Sequence, residues 1–277
     1  MRLSLIAAST LAALITLPAL AEEAAAPSPV TGNFSVVSDY RFRGLSQSYK
    51  LPAVQGGIDY VSPIGVYAGT WLSSISGNQY MNGASLEWDM YGGYRGTIVE
   101  DLSYDVGGLY YYYPGAHYPN AAKTKYNNFE VYGALTYKWI TAKYSHTLTN
   151  FFGTKNETYG GACEYAVVGG NADNCFTAEP GNSKGSGYFD LSANFPIAEK
   201  LTLNTHVGHQ TVKNYSKLAY TDWKLGVTYD LSGWALGAAV IGTNAKKGFW
   251  YACEVSDANS CKKIGENTLV LSVSKTF

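Results

Sequence analysis

The sequence predicts an all-β fold: a transmembrane, antiparallel, up-and-down β-barrel of about twelve strands following an N-terminal signal peptide. Three observations predict it. Apolar and polar residues alternate with period 2 in segments of about ten residues, the length a tilted membrane strand requires. The links between those segments are long and short by turns. The composition is rich in Tyr (24) and Gly (30) but only 15% charged, which suits strands whose two faces meet different solvents. So many aromatics exclude a disordered chain, and a net charge of −1 offers no basic field to phosphates, so nucleic acid is not an expected partner.

The first element is an address. Arg2 gives a short positive region and Leu3 to Leu20 an uncharged apolar stretch broken by Pro18. Ala19-Leu20-Ala21 then supplies the small-x-small pattern of a cleavage site, so residues 1–21 are expected to be removed as a signal peptide rather than kept as a membrane helix. Residues 22–31, with their Ala and Pro, are expected to form a flexible periplasmic lead-in, and residues 32–277 the barrel. Beyond the signal no apolar run approaches the 18 or so residues of a spanning helix; the longest, Trp234 to Gly242, is half that.

Strands are predicted at 33–43, 52–61, 65–74, 84–94, 102–113, 128–138, 140–150, 186–195, 200–211, 219–230, 233–243 and 267–277, an even number, as single-chain bacterial barrels require. In the fourth, Leu86, Trp88, Met90, Gly92 and Tyr94 share one face, and Glu87, Asp89 and Tyr91 the other. The fifth places Leu102, Tyr104, Val106, Gly108, Tyr110 and Tyr112 together. The sixth opposes Phe129, Val131, Gly133, Leu135 and Tyr137 to Glu130, Thr136 and Lys138. The third leaves its facing open: Tyr67, Gly69 and Trp71 compete with Val66, Ala68, Thr70 and Leu72 for the lipid.

Numbered from the first, the odd links are Gly44–Leu51, Ile75–Gly83, Pro114–Asn127, Phe151–Gly185, Thr211–Leu218 and Asn244–Glu266. The even ones are Ser62–Ile64, Arg95–Asp101, Trp139, Pro196–Glu199 and Leu231–Ser232. Every odd link exceeds every even link, as when one rim carries extracellular loops and the other periplasmic turns. Tyr40, Phe42, Tyr110, Tyr112 and Trp223 fall toward the loop side, and Tyr137, Phe195, Trp234 and Phe277 toward the turns, as two aromatic girdles would. Phe277, preceded on its face by Leu269, Leu271 and Val273, resembles the terminal assembly signal of outer-membrane proteins, although Lys275 stands where that signal carries an apolar residue. The expected partners are therefore outer-membrane lipid and the barrel-assembly machinery of a Gram-negative cell.

The four Cys, 163, 175, 253 and 261, lie in the two longest odd links. In an exported chain they are expected to form disulfides, and spacing favours Cys163–Cys175 and Cys253–Cys261, with two other pairings open. Neither CxxC nor a neighbouring His supports a metal, and no cofactor is expected. The histidines 117, 146, 206 and 209 stand in no triad-like motif; Ser145 and His146, being adjacent, face opposite ways. No catalytic residue is assigned, and the protein is not expected to be an enzyme.

What remains is the inner wall. If the apolar faces meet lipid, the lumen is lined by Asp39, Arg41, Arg43, Asp59, Glu87, Asp89, Asp105, Glu130, Lys138, Lys143, Asp190, His206, Asp222 and Lys224. Cross-strand pairs are anticipated there, Asp39/Arg41 against Glu87/Asp89 among them. Such a wall suits a hydrated channel for small polar solutes or ions better than a salt-bridged plug, the alternative being a closed barrel with a structural or adhesive role through stapled loops.

Ser38-Asp39-Tyr40-Arg41-Phe42-Arg43-Gly44-Leu45-Ser46-Gln47-Ser48 precedes Pro52-Ala53-Val54-Gln55-Gly56-Gly57-Ile58-Asp59-Tyr60 and Gly65-Val66-Tyr67-Ala68-Gly69-Thr70-Trp71. With Glu87 to Tyr94 and Tyr110 to Gly115, this resembles the TorF family of porin-like proteobacterial proteins, over about Asn33 to Phe277. The resemblance implies an outer-membrane barrel with a transport role. It implies neither a substrate nor a catalytic residue.

Overall fold

A computed structural model describes residues 28–78, 84–118, 120–159, 181–254 and 257–277. The signal peptide expected at 1–21, most of the lead-in and the Cys163–Cys175 pair lie outside these residues. Twelve antiparallel strands close into a barrel, each hydrogen-bonded to its neighbours in sequence and the first to the last. They are β1 (Val30–Val37), β4 (Ala53–Val61), β5 (Val66–Ser74), β6 (Leu86–Val99), β7 (Leu102–Tyr112), β8 (Asn128–Tyr137), β9 (Ile140–Thr147), β10 (Gly187–Ala198), β11 (Leu201–Thr211), β12 (Tyr220–Leu231), β13 (Trp234–Thr243) and β16 (Thr268–Thr276). Two short hairpins stand apart from the wall: β2 (Arg41–Phe42) with β3 (Leu45–Ser46), and β14 (Tyr251–Glu254) with β15 (Asp257–Lys263). Among the described residues no helix is long and apolar enough to cross a membrane. The backbone would be satisfied in lipid by the closed ladder alone.

The predicted number and order of strands match. Two boundaries are corrected. The first strand ends at Val37, not residue 43, because the chain then turns into the barrel. The fourth runs on to Val99 through an irregularity between Thr97 and Val99, which shortens the link before β7 to residues 100–101. The sorting of links becomes sharper: even links are 62–65, 100–101, 138–139, 199–200 and 232–233, and every odd link is longer. The seam is sealed by register pairs from Asn33↔Thr276 to Val37↔Ser272. Beyond them Gly32 N donates to Phe277 O (2.7 Å) and Phe277 N to Gly32 O (2.9 Å).

Strand alternation turns two chemistries to two sides. Leu225, Leu269, Ile58 and Leu271 are among the exposed apolar side chains of the outer wall, while Glu87, Asp89, Glu130, Gln210 and Asp222 are buried inside. The open facing of the third strand resolves in favour of an outward Val66 and an inward Tyr67 and Trp71, 7% and 3% exposed. The abundance of Tyr and Gly has a packing reason here. Inward Tyr67 lies over Gly93 and inward Tyr132 over Gly107: a Cβ on Gly93 would stand 2.6 Å from Tyr67 Oη, and one on Gly107 2.7 Å from Tyr132 Oη. Large rings flattened on a curved wall need bare backbone beneath them.

The girdles are also partly corrected. Trp223, Tyr137, Trp139, Trp234 and Phe277 are exposed on the outer wall, and Phe195 packs against Trp139 at 6.2 Å. Tyr40 and Phe42 are not in a girdle. They follow the chain inward, where Tyr40 meets Trp71 edge-on at 5.5 Å and Phe42 meets Tyr111 at 5.5 Å and Phe152 at 5.7 Å. The buried apolar clusters therefore sit inside the barrel at its loop end, built from wall residues and loops together.

Candidate channel constriction

Between β1 and β4 the chain does not form an outer loop. Residues 38–52 fold into the lumen, and Asp39, Tyr40, Leu45, Ser46, Gln47, Ser48 and Tyr49 are all buried. The cause is local. Phe42 and Leu45 pair across the two-residue turn Arg43-Gly44, whose φ angles of 47° and 78° are both left-handed, the arrangement of a tight hairpin turn. Gly44 accepts this at no steric cost, whereas Arg43 is held there against its preference.

What holds Arg43 is the opposite wall. Its guanidinium donates to both Glu130 oxygens, Nη2 to Oε2 at 2.6 Å and Nη1 to Oε1 at 3.1 Å, and Nη1 also donates to Gln210 Oε1 at 2.7 Å. The same group lies 4.2 Å from the centre of the Tyr188 ring. Glu130 is on β8 and Gln210 on β11, both several strands around the barrel from β1, so the inner segment crosses the passage and Arg43 pins its tip to that wall. Glu130 receives further bonds from Asn128 Nδ2 (3.1 Å), Thr147 Oγ1 (3.3 Å) and Tyr111 Oη (3.4 Å). A charge this deeply buried is tolerated because it is paired bidentately and hydrogen-bonded.

The tip of the hairpin touches the wall. A Cβ on Gly44 would lie 2.5 Å from Thr243 Cγ2 and 2.7 Å from Asp222 Cβ. Gly44→Val is therefore expected to stop the hairpin from seating while leaving the barrel closed. Trypsin should then cut after Arg43 in folded, lipid-embedded protein, where the native chain resists; equal resistance in both would refute the close fit.

Arg41 faces the other way. It bonds Asp39 at 2.6 Å, the carbonyls of Gly44, Ile264 and Glu266, and Thr268 Oγ1 at 2.7 Å. The anticipated exchange between Asp39/Arg41 and Glu87/Asp89 does not form. Instead Glu87 accepts from Tyr40 Oη at 3.1 Å, while both Asp89 oxygens are buried with no hydrogen-bond partner among the described residues.

The lumen carries a second set of predicted residues, running from the hairpin tip at Asp222 down to Asp59 and Asp105 near the turns. Asp59 accepts from Tyr91 Oη and Asp105 from Tyr67 Oη, each at 2.6 Å. Lys143 Nζ lies 3.9 Å from the centre of the Tyr132 ring and is the register partner of Asp190. His206 is clamped, Nδ1 at 2.8 Å from Asp190 and Nε2 at 2.6 Å from Asp222, with Lys224 its register partner on β12. With a carboxylate on each nitrogen, the ring has no free position from which to act as a base. Lys138 is a correction: it sits in the β8–β9 turn at φ 52°, 41% exposed, 3.5 Å from Asp101 at the barrel's edge rather than in the lumen. Among the described residues no group of three or more His, Cys, Asp or Glu could hold a metal ion.

The profile of a bacterial family described as a protein of unknown function (Gcw_chp) matches residues 21–277. No curated protein matches the chain. Among solved structures it resembles a KdgM porin, with a TM-score of 0.50 at 7% identity over 89% of this chain and 99% of that one. A KdgM porin in complex with disordered oligogalacturonate gives 0.47 at 6% identity (90% and 98% covered), and a NanC porin 0.46 at 8% (90% and 98%). At these identities the first similarity establishes the barrel fold and nothing finer.

Proposed function

The chain belongs to the Gcw_chp family, and we propose that it is a channel in the outer membrane of a Gram-negative bacterium, passing small polar solutes or ions by passive diffusion through a lumen narrowed at Arg43. One observation carries this reading: neighbouring wall residues point a charge inward and an apolar group outward, as in Asp190/Leu191, Lys143/Tyr144, Asp105/Val106 and Lys224/Leu225. Lipid outside and water inside is the arrangement such a wall fits. The TorF resemblance over about Asn33 to Phe277 and Phe277 itself, proposed as an assembly signal, fit the same placement. So does the proposed division into signal peptide, lead-in and barrel. No residue is proposed as catalytic.

A second reading, a closed barrel with a structural or adhesive role, is favoured by the hairpin that fills the mouth of the lumen. Planar-bilayer recording separates the two. Purified, folded protein is expected to give discrete, small conductance steps; silence from folded protein at all voltages and salts would leave the closed barrel standing.

A further inference from the structure

The inner hairpin is anchored at two ends, and only one anchor is the barrel wall. The other is the last loop, between β13 and β16. Ser46 N donates to Ile264 O (2.9 Å), Tyr49 Oη to Ser260 O (2.9 Å), and Lys50 Nζ bonds Glu266 at 2.9 Å. The hydrogen bond from Lys50 holds the Glu266 carboxyl below its ordinary range. Lys262 Nζ stands 4.0 Å from the centre of the Tyr49 ring. Leu45 and Tyr49 of the inner segment share one buried cluster with Tyr220, Ala252 and Ile264, each 3% exposed or less.

These contacts come from a hairpin with little support of its own. Among the described residues β14 and β15 pair only with each other, through Tyr251↔Lys263, Ala252↔Lys262 and Cys253↔Cys261, with an irregularity before Glu254↔Asp257. A lone two-stranded hairpin is marginally stable in water. This one is crossed by the Cys253–Cys261 disulfide at directly facing positions. Ser260 and Lys262, which touch Tyr49, and Ala252, which shares its buried cluster, are the immediate neighbours of those two cysteines.

We infer that the Cys253–Cys261 hairpin is a redox-sensitive clasp on the inner segment, so that its reduction loosens residues 38–52 in the mouth of the barrel. The step is ordinary thiol–disulfide exchange. A dithiol gives two electrons and two protons, the S–S bond becomes two cysteine thiols, and the dithiol leaves as its own disulfide. The freed strands lose register and the cluster around Tyr49 opens, so that residues 45–50 lose their cover on the last-loop side while the segment keeps its wall contacts at Tyr40, Arg41, Phe42 and Arg43. The clasp rests on these contacts alone; its effect on transport rests on the channel reading.

The test uses the full-length folded protein in lipid vesicles, with trypsin added outside and cleavage after Arg41, Arg43 and Lys50 followed by mass spectrometry. Dithiothreitol is expected to accelerate cleavage at these sites roughly tenfold, as the population of the opened segment rises. A C253S/C261S variant should be cut at the faster rate without reductant and show no further response. If that variant is as resistant as the oxidised native protein, or still responds to dithiothreitol, the clasp is wrong. The native protein with reductant covers the case in which the variant does not fold. In parallel bilayer recordings, reduction should raise conductance. Release seen by trypsin with no change in conductance would overturn the channel reading and leave the clasp intact.

Discussion

Replacing Arg43 by alanine is expected to raise single-channel conductance several-fold and to lower the thermal unfolding temperature of the folded barrel. Both effects arise at one point in the lumen. The guanidinium is the bridge between the inner hairpin and the far wall, with two bonds to Glu130 and one to Gln210. Without it the tip has no polar anchor across the passage. Truncation also strips Glu130, 2% exposed, of its bidentate partner and leaves the neutral Asn128, Thr147 and Tyr111 as its hydrogen-bond donors among the described residues. Removing one partner of a buried ion pair costs about 3–5 kcal/mol, because the remaining charge stays desolvated. Adding Glu130→Gln to Arg43→Ala should recover much of that stability while conductance stays high. This separates the electrostatic penalty from the opening of the passage. An Arg43→Ala protein that folds and conducts like the native one would mean that the hairpin stays seated without its latch.

The second large effect concerns the outer wall. Leu225, 60% exposed near the middle of β12, is expected to tolerate arginine poorly, whereas Leu231 at the turn end of the same strand should tolerate it well. In a membrane the penalty depends on depth, about 2–4 kcal/mol at the midplane and about 0–1 kcal/mol near the interface. Guanidinium unfolding of barrels in lipid vesicles should therefore show a clear fall in midpoint for Leu225→Arg and a small one for Leu231→Arg. Adjacent Lys224 already carries a cation on the inner face, so the contrast between positions 224 and 225 is one of direction, not of side-chain type. Equal effects at both leucines would indicate water, not lipid, around the barrel.

The wall was legible because it follows one rule. Period-2 alternation, aromatic ends and the alternating lengths of the links all report on strands that separate two solvents, and each strand reports independently. What was not legible depends on pairings across the lumen. Asp39, Arg41 and Arg43 continue the alternation of β1 faultlessly, so they look like wall residues. The cue against this is the Arg43-Gly44 pair between Phe42 and Leu45, a two-residue turn that a continuous strand has no use for. Nothing in the sequence matches Arg43 to Glu130 and Gln210, because that encounter is set by barrel curvature and register. His206 is similar: its inward facing is readable, but its place between Asp190 and Asp222 comes from the stagger of β10, β11 and β12. The β14–β15 hairpin was missed because its strands are short and sit in a loop with no alternation to read. The facing of β5 needed the neighbouring strand, since the glycine beneath Tyr67 is on β6.

Arg41 ties together parts of the chain that are remote in sequence. It follows β1, and its guanidinium bonds Thr268, the first residue of β16, and the carbonyl of Glu266 just before it. It thus bridges the same two strands whose pairing, from Asn33↔Thr276 onward, converts an open sheet into a cylinder. That pairing spans nearly the whole chain and so carries the largest loop-closure entropy of any step in folding. The hairpin is covalently joined to one edge of the seam and bonded to the other. Its docking and the zipping of the sheet therefore draw on a shared set of long-range contacts and gain from each other cooperatively. The segment that fills the mouth also acts as a splint across the joint between the most distant strands of the chain.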